Sequence, residues 1–377
     1  MNGSIVKNKG KKGVTWTARV EYPRGGDGCR RWKRDTFGTK NEAQDALVRM
    51  LAEAQRQMDC GYVDPGKLTV GEYLDQYLET VGPTLKPGSV ITLQYNLARW
   101  KPIVGHILLA KLTRMDVQKG VNTLPSHLAP ITRACTFQAL RQALRQAVGW
   151  DMLIRTPTAG VKPPAAPQRE MKIWTSDEAE RFLEKAKAKT RYYPIFVLGL
   201  KTGMRRGELL GVKWEDVDLS QGFITVRRSL YWMPPAPPIF QDPKTAGSRR
   251  KIPLDRGTVE MLKAHRKHQL EERLAAGPAW EDWGLIFCTE ENGRPIYGPN
   301  LVKQLKVSAR EAKVPAIRFH DLRHTHATFL LQAGVSVKVV AERLGHTTVR
   351  ITLDTYSHIL PDMQEAAVKA LEGMFLC

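Results

Sequence analysis

Cysteine, long apolar runs and acidic charge are all in short supply in this 377-residue chain. Its five cysteines, Cys29, Cys60, Cys135, Cys288 and Cys377, are odd in number, scattered and never spaced C-x-x-C. That excludes a disulfide framework and a cysteine zinc site, and leaves reduced structural thiols. No apolar run nears the roughly 20 residues needed to cross a bilayer, and the opening "MNGSIVKNKGKKG" lacks the apolar core of a secretion signal. A soluble, cytoplasmic protein with no membrane partner is expected. A Gly-rich phosphate loop, an internal repeat and a sustained heptad pattern are also missing. Acidic residues number 38 against 58 Lys plus Arg, a formal charge of +20. Such an excess points to a polyanion, either nucleic acid or an anionic membrane surface.

The length suggests two or three domains. Residues 1–62 open with two strand-like runs, "VTWTARVEY" and "CRRWKRDTF", joined by the turn "PRGGDG". A helix follows the start signal "GTKNEAQ", with Ala46, Leu47, Met50, Leu51 and Ala54 at helical spacing. The hairpin carries Arg19, Arg24, Arg30, Arg31, Lys33 and Arg34 with Trp16 and Trp32 among them. A two-stranded ribbon is narrow enough to enter a DNA major groove; a solvated basic face on a small sheet fits the same pattern. Residues 68–160 read as four helices, with Arg99, Lys101 and Arg141 among the cations of a possible second nucleic-acid module. The Pro-rich connector "TPTAGVKPPAAPQRE" cannot continue a helix and marks a boundary. Residues 170–377 are mostly helical, with strand-like runs "GFITVRRSLYW" and "SRRKIPL" on either side of "MPPAPP".

The densest chemistry lies in "HDLRHTHAT", His320 to Thr328. Its H-x-x-x-H spacing resembles a helical zinc site, but on a helix His320, Arg323 and His324 share one face. At about 6 Å and an effective dielectric near 20, the Arg323 guanidinium repels a dication by roughly 5 kcal/mol and attracts a phosphodiester by about 3. An anion is favoured, and Arg suits bidentate phosphate contact. In "TGMRRGELLG", Gly203 turns the chain into a new helix whose first turn holds Arg205, a second clamp. Lys244 lies near the turn of a hairpin, His346 just after the helix stop at Gly345, and Tyr356 ten residues further on.

T-G-x-R-R-G-E-L at 202–209, P-K-T at 243–245, H-x-L-R-H at 320–324, L-G-H at 344–346 and the Tyr356 segment stand in an order that closely resembles the tyrosine recombinases, or phage integrases. The fold implied is multidomain: a small N-terminal β-sheet plus helix domain for arm-type DNA, an all-α bundle for core-type DNA, and a mainly α, mixed α+β catalytic domain. By the resemblance, Tyr356 is the nucleophile that forms a 3′-phosphotyrosine link. Arg205 and Arg323 bind the non-bridging oxygens, Lys244 protonates the departing 5′ oxygen, and His320 and His346 assist. Glu208 orients the site, while His324 and His326 take supporting roles. Ionising a tyrosine of pKa near 10 at pH 7 costs about 4 kcal/mol, so the nucleophile needs help.

The implied activity is site-specific integration, with excision, of a phage or mobile element. The covalent link conserves the bond energy, so strands can be religated without ATP, and the resemblance implies neither a metal nor another cofactor. A homotetramer acting on double-stranded DNA, with an excisionase and a DNA-bending host factor as accessories, is the implied assembly. The expected location is the host bacterial cytoplasm, at the nucleoid when bound. A conjugative-transposon recombinase, a chromosome-dimer resolvase and an inactive DNA-binding regulator are the alternatives.

Overall fold

Three strands, not two, begin the chain in the computed structural model, which describes residues 3–10, 13–22, 31–59, 65–166, 171–242 and 249–356. β1 (Gly3–Gly10), β2 (Gly13–Tyr22) and β3 (Arg31–Phe37) form an antiparallel meander in the order β1-β2-β3. The extra strand β1, "GSIVKNKG", has just two β-branched apolar residues among Gly, Lys and Asn, so its own pattern carries almost no strand signal. It is held by its pairing to β2, from Gly3 opposite Val20 to Gly10 opposite Gly13. α1 (Lys40–Asp59) starts at Thr39, whose hydroxyl accepts from the Glu42 N–H while Glu42 reaches back to the Thr39 N–H. Ala46, Met50 and Ala54 of α1 are buried against Ala18 and Val20 of β2.

The chain divides into two units, residues 1–169 and 170–377. The first also contains a helical bundle: α2 (Val70–Val81), α3 (Pro87–Ala98), the short α4 (Lys101–Val104), α5 (Arg114–Thr123) and α6 (Pro130–Gly149). Five helices stand where four were expected, because the chain breaks between α3 and α4, where Pro102 lacks the N–H that a continuing helix requires. Trp100 at the break is fully buried and donates its indole N–H to the Thr136 carbonyl at 2.8 Å. The break thus seats a core side chain. Thr69 with Glu72 and Thr113 with Asp116 cap α2 and α5 reciprocally.

The second unit holds α7 (Ser176–Lys189), α8 (Tyr193–Thr202), α9 (Arg206–Gly211), strands β4 (Val217–Asp218), β5 (Phe223–Val226), β6 (Ser229–Tyr231), β7 (Ile239–Gln241) and β8 (Arg250–Pro253), then α10 (Arg256–Ala276), α11 (Gly298–Glu311), α12 (Asp321–Gln332), α13 (Val337–Leu344) and α14 (Val349–Tyr356). The run 222–232, expected as one strand, is two. β5 joins a sheet of order β4-β5-β8, and β6 pairs with β7. The chain changes sheets at Arg227 and Arg228; Arg228 donates to the buried Asp216 carboxylate at 2.8 Å, and Arg227 lies 3.6 Å from its other oxygen as an ion pair. A core of Trp174, Phe182, Phe196, Leu198, Leu209, Ile224, Leu305 and Leu322 fills the centre of the unit. A satellite cluster of Ala327, Leu331, Val340, Leu344 and Tyr356 lies under α12, α13 and α14.

Candidate active site

Two helix stops bring the motifs together. α8 ends at Gly203 in the left-handed conformation (φ 64°), where an added Cβ would lie 2.7 Å from both His326 and Leu344. α13 ends the same way at Gly345 (φ 69°), where a Cβ would lie 2.9 Å from Arg250 Nη1. Only glycine meets both the backbone angle and the space. The peptide carbonyls at these stops then serve as arginine acceptors. Arg323 Nη1 donates to the Gly203 carbonyl at 2.8 Å, and Arg205 Nη2 to the Gly345 carbonyl at 3.3 Å.

Arg205 is not in the first turn of α9 but is its N-cap, with extended angles (φ −68°, ψ 152°) and a side chain 40% exposed. Its backbone N–H donates to Glu208 Oε2 at 2.9 Å and its Nη1 to Oε1 at 2.8 Å. Glu208 is buried and faces a second guanidinium as well, Arg250 Nη2 at 2.8 Å. Burial would raise the Glu208 pKa, but the hydrogen bond and charge of Arg250, then those of Arg205, outweigh it and hold the carboxyl below its usual range. Arg250 Nε also donates to the Arg343 carbonyl at 2.7 Å, tying β8 to the end of α13.

Arg323 is 3% exposed, and its Nη2 is buried with no hydrogen-bond partner among the described residues. Burial lowers its pKa, as do the charges of Arg205 and Arg250. A guanidinium keeps its proton near neutral pH even so, which leaves a buried positive charge with a free donor. An anion with several acceptor oxygens satisfies both.

His320 precedes α12 at helical angles, so its ring still meets His324 edge to face, with centroids 4.9 Å apart. The His320 pKa is lowered, first by loss of water around the ring and then by Arg323 and Arg205. His346 Nδ1 shares a hydrogen bond with Thr352 Oγ1 at 2.7 Å, and its pKa falls to about 4 through burial and the charges of Arg323, Arg205 and Arg250. Tyr356, the last residue of α14, is 1% exposed; burial pushes its phenol up to about 12, with Arg323 pulling the other way. Its hydroxyl lies 2.7 Å from His324 Nδ1. His326, by contrast, is buried against the Leu200 carbonyl (2.7 Å) and accepts from Arg343 Nε (3.2 Å), which bolts α12 to α8 and α13.

Lys244 lies outside the described residues, as do Arg24 and Arg30. Arg31 is the first residue of β3. Arg19 and Lys33 are exposed on β2 and β3, with Arg19 over the Trp32 ring at 5.6 Å and bonded to Ser4. Arg99 is half-buried and bonds Asn96 Oδ1, Lys101 pairs with Asp75, and Arg141 is half-buried on α6. Arg250 escaped the sequence reading, which gave His324 a supporting role. The signals were present. His324 stands at i+4 from His320, and Arg250 alternates with Ile252 along β8, which puts both on the inward face.

A tyrosine beside arginines and histidines, with one Arg323 guanidinium nitrogen unpaired among the described residues, is an arrangement that can bind a phosphodiester next to a hydroxyl nucleophile. Comparison with known proteins makes the class specific. Residues 172–363 match the family model described as "Phage integrase family". A "Tyrosine recombinase XerC-like" protein of Caldanaerobacter subterraneus subsp. tengcongensis is 30% identical over 369 residues, 91% of this chain and 92% of the relative. An integrase of Streptomyces ambofaciens is 27% identical over 381 residues, 97% and 95% of the two chains. Among solved structures, the Tn1549 transposon integrase in complex with a circular intermediate DNA aligns with a TM-score of 0.66 at 20% identity, over 81% of this chain and 99% of that one. A lambda integrase tetramer bound to a Holliday junction aligns with 0.58 at 16%, over 89% and 91%. The chain belongs to the phage integrase family, the tyrosine recombinases, and is a site-specific recombinase that cleaves and rejoins DNA. No helix among the described residues is long and apolar enough to cross a membrane.

Proposed function

We propose that Tyr356 is the nucleophile of a site-specific integration reaction in which Arg323 and Arg205 clamp the scissile phosphate. The observation that carries this reading is the pairing of a buried tyrosine with a buried arginine whose Nη2 has no hydrogen-bond partner among the described residues. Attack of the Tyr356 oxygen on phosphorus gives a 3′-phosphotyrosine and frees a 5′-hydroxyl. Charge building on the non-bridging oxygens meets guanidiniums already fixed by the Gly203 and Gly345 carbonyls, so little reorganisation is needed. Glu208 positions Arg205, Lys244 is assigned the leaving oxygen, and His320 and His346 the phosphate.

The three-part organisation, 1–62, 68–160 and 170–377, goes with this function. The β1-β2-β3 sheet with its exposed Arg19 and Lys33 suits arm sites, and the α2–α6 bundle with Arg99, Lys101 and Arg141 suits the core site. The tetramer is inferred from the lambda integrase assembly on a Holliday junction, and integration of a mobile element from the Tn1549 integrase. An excisionase and a bending factor fit a protein with two kinds of DNA site.

The test is strand cleavage on a nicked duplex carrying the attachment site mapped by footprinting. The reading requires protease-sensitive adducts at 3′ ends and free 5′-hydroxyls, formed in EDTA without ATP. Adducts at 5′ ends, or cleavage lost in EDTA and restored by zinc, would overturn it.

A further inference from the structure

We propose that His324 is a further catalytic residue, the base that holds the Tyr356 hydroxyl and takes its proton as the phenol oxygen attacks phosphorus. The proposal rests on Tyr356 being the nucleophile. Its ground is geometric: His324 Nδ1 lies 2.7 Å from the Tyr356 oxygen, within the reach a base needs. The two rings lie 5.7 Å apart, centroid to centroid. The imidazole is fixed from its other side by the edge-to-face contact with His320, and by its place on α12 next to the buried Arg323. Among the described residues the Tyr356 hydroxyl bonds His324 and neither His320 nor His346, and the Nδ1 of His346 is engaged by Thr352.

The surroundings keep this ring ready to accept. The charged and titratable groups around it are His320, Asp321, Arg318 and Arg323 on its own segment, with His346 and Tyr356 from the elements packed against it. Burial, the neighbouring His320, and the Arg318 and Arg323 charges outweigh Asp321 and bring its pKa to about 4. At neutral pH the imidazole is therefore uncharged and offers a lone pair. With its proton on Nε2, it accepts the phenol O–H at Nδ1. A phosphodiester docked on Arg323 adds negative charge beside the ring and raises its proton affinity as the reaction begins.

The step balances. The Tyr356 O–H bond breaks, its proton passes to Nδ1, and the oxygen lone pair forms the bond to phosphorus. The P–O5′ bond breaks with its electron pair on the 5′ oxygen, which takes a proton from Lys244. During religation the 5′-hydroxyl attacks phosphorus and gives its proton back to Lys244, the P–O bond to Tyr356 breaks with its electron pair on the phenol oxygen, and the His324 imidazolium returns the proton to that oxygen.

The experiment compares single-turnover cleavage by wild type, His324→Asn and His324→Ala on the nicked attachment-site duplex. A parallel set uses the duplex with sulfur in place of the scissile 5′ oxygen, a leaving group that needs no proton. Asn can accept the hydroxyl in place of Nδ1 but takes no proton, and it retains a polar side chain should Ala fail to fold. Both variants should bind the duplex as wild type does and cleave roughly 10²-fold more slowly or worse. The sulfur substrate should leave that defect in place, and added imidazole should speed His324→Ala but not His324→Asn. Wild-type cleavage by His324→Asn, a defect erased by the sulfur substrate, or no response of His324→Ala to imidazole would each overturn the proposal. Adducts on Tyr356→Phe would remove the nucleophile reading itself; an inert Tyr356→Phe beside a fully active His324→Asn removes only the base.

Discussion

Arg250 Nη2 donates to Glu208 Oε2 across 2.8 Å with both side chains almost fully buried, 6% and 5% exposed. This pair joins β8 to α9, and Glu208 also holds Arg205, so one carboxylate sets the position of β8 and of the arginine proposed to clamp the phosphate. Replacing Glu208 with Gln leaves two guanidiniums without a counter-charge. Removing one partner of a buried pair typically costs about 3–5 kcal/mol, and the urea midpoint should fall accordingly, with cleavage lost. An unchanged midpoint would show the pair to be dispensable.

His326 gives the protein a pH-dependent stability. Burial, then the Arg343 charge, depresses its pKa to about 4 against the opposing bond to the Leu200 carbonyl. Between that value and the unfolded one near 6.5, the unfolded chain binds the extra proton. Stability is therefore level above about 6.5 and is lost as pH falls toward 4, by at most about 3 kcal/mol from this residue. Thermal unfolding followed from pH 7 to 4.5 should show a shallower decline in His326→Gln than in wild type. Equal slopes would contradict the assignment.

Arg323→Lys retains the charge but loses the planar fork that reaches the Gly203 carbonyl and a phosphate together. DNA binding should persist while cleavage drops about 10²–10³-fold, the usual cost of one such donor. Gel-shift and single-turnover assays separate the two. Wild-type cleavage would mean that simple charge suffices.

Much of this site was legible because its residues sit in short segments. Gly203, Arg205, Glu208, His320, Arg323, Gly345, His346 and Tyr356 are each marked by neighbours a few positions away. What the sequence hid depends on contacts between segments. His324 meets Tyr356 across 32 positions and Arg250 meets Glu208 across 42. No local pattern states which of several cations will be buried; Arg249, Arg250 and Lys251 stand in a row, and the strand alternation alone separates them. The fold shows the same division. Capped helices such as α2 and α5 were readable, whereas β1 takes its conformation from pairing with β2, and the α3–α4 break from burying Trp100.

The basic N-terminal sheet and the helical bundle should make separable contributions to binding. Deleting residues 1–62 should abolish footprints at arm sites and preserve cleavage at the core site. For the full chain, neutralising 6–10 phosphates lowers affinity by about 10³–10⁵ between 50 and 200 mM salt. A truncated protein with an unchanged salt slope and an unchanged footprint would assign that sheet another role.

The covalent step tests the account most directly. Wild-type protein trapped on the nicked duplex, digested and examined by mass spectrometry should yield one nucleotide-bearing peptide, linked through Tyr356, and Tyr356→Phe should bind the same duplex and yield none. A nucleotide carried by any other residue, or an adduct formed by Tyr356→Phe, would contradict it.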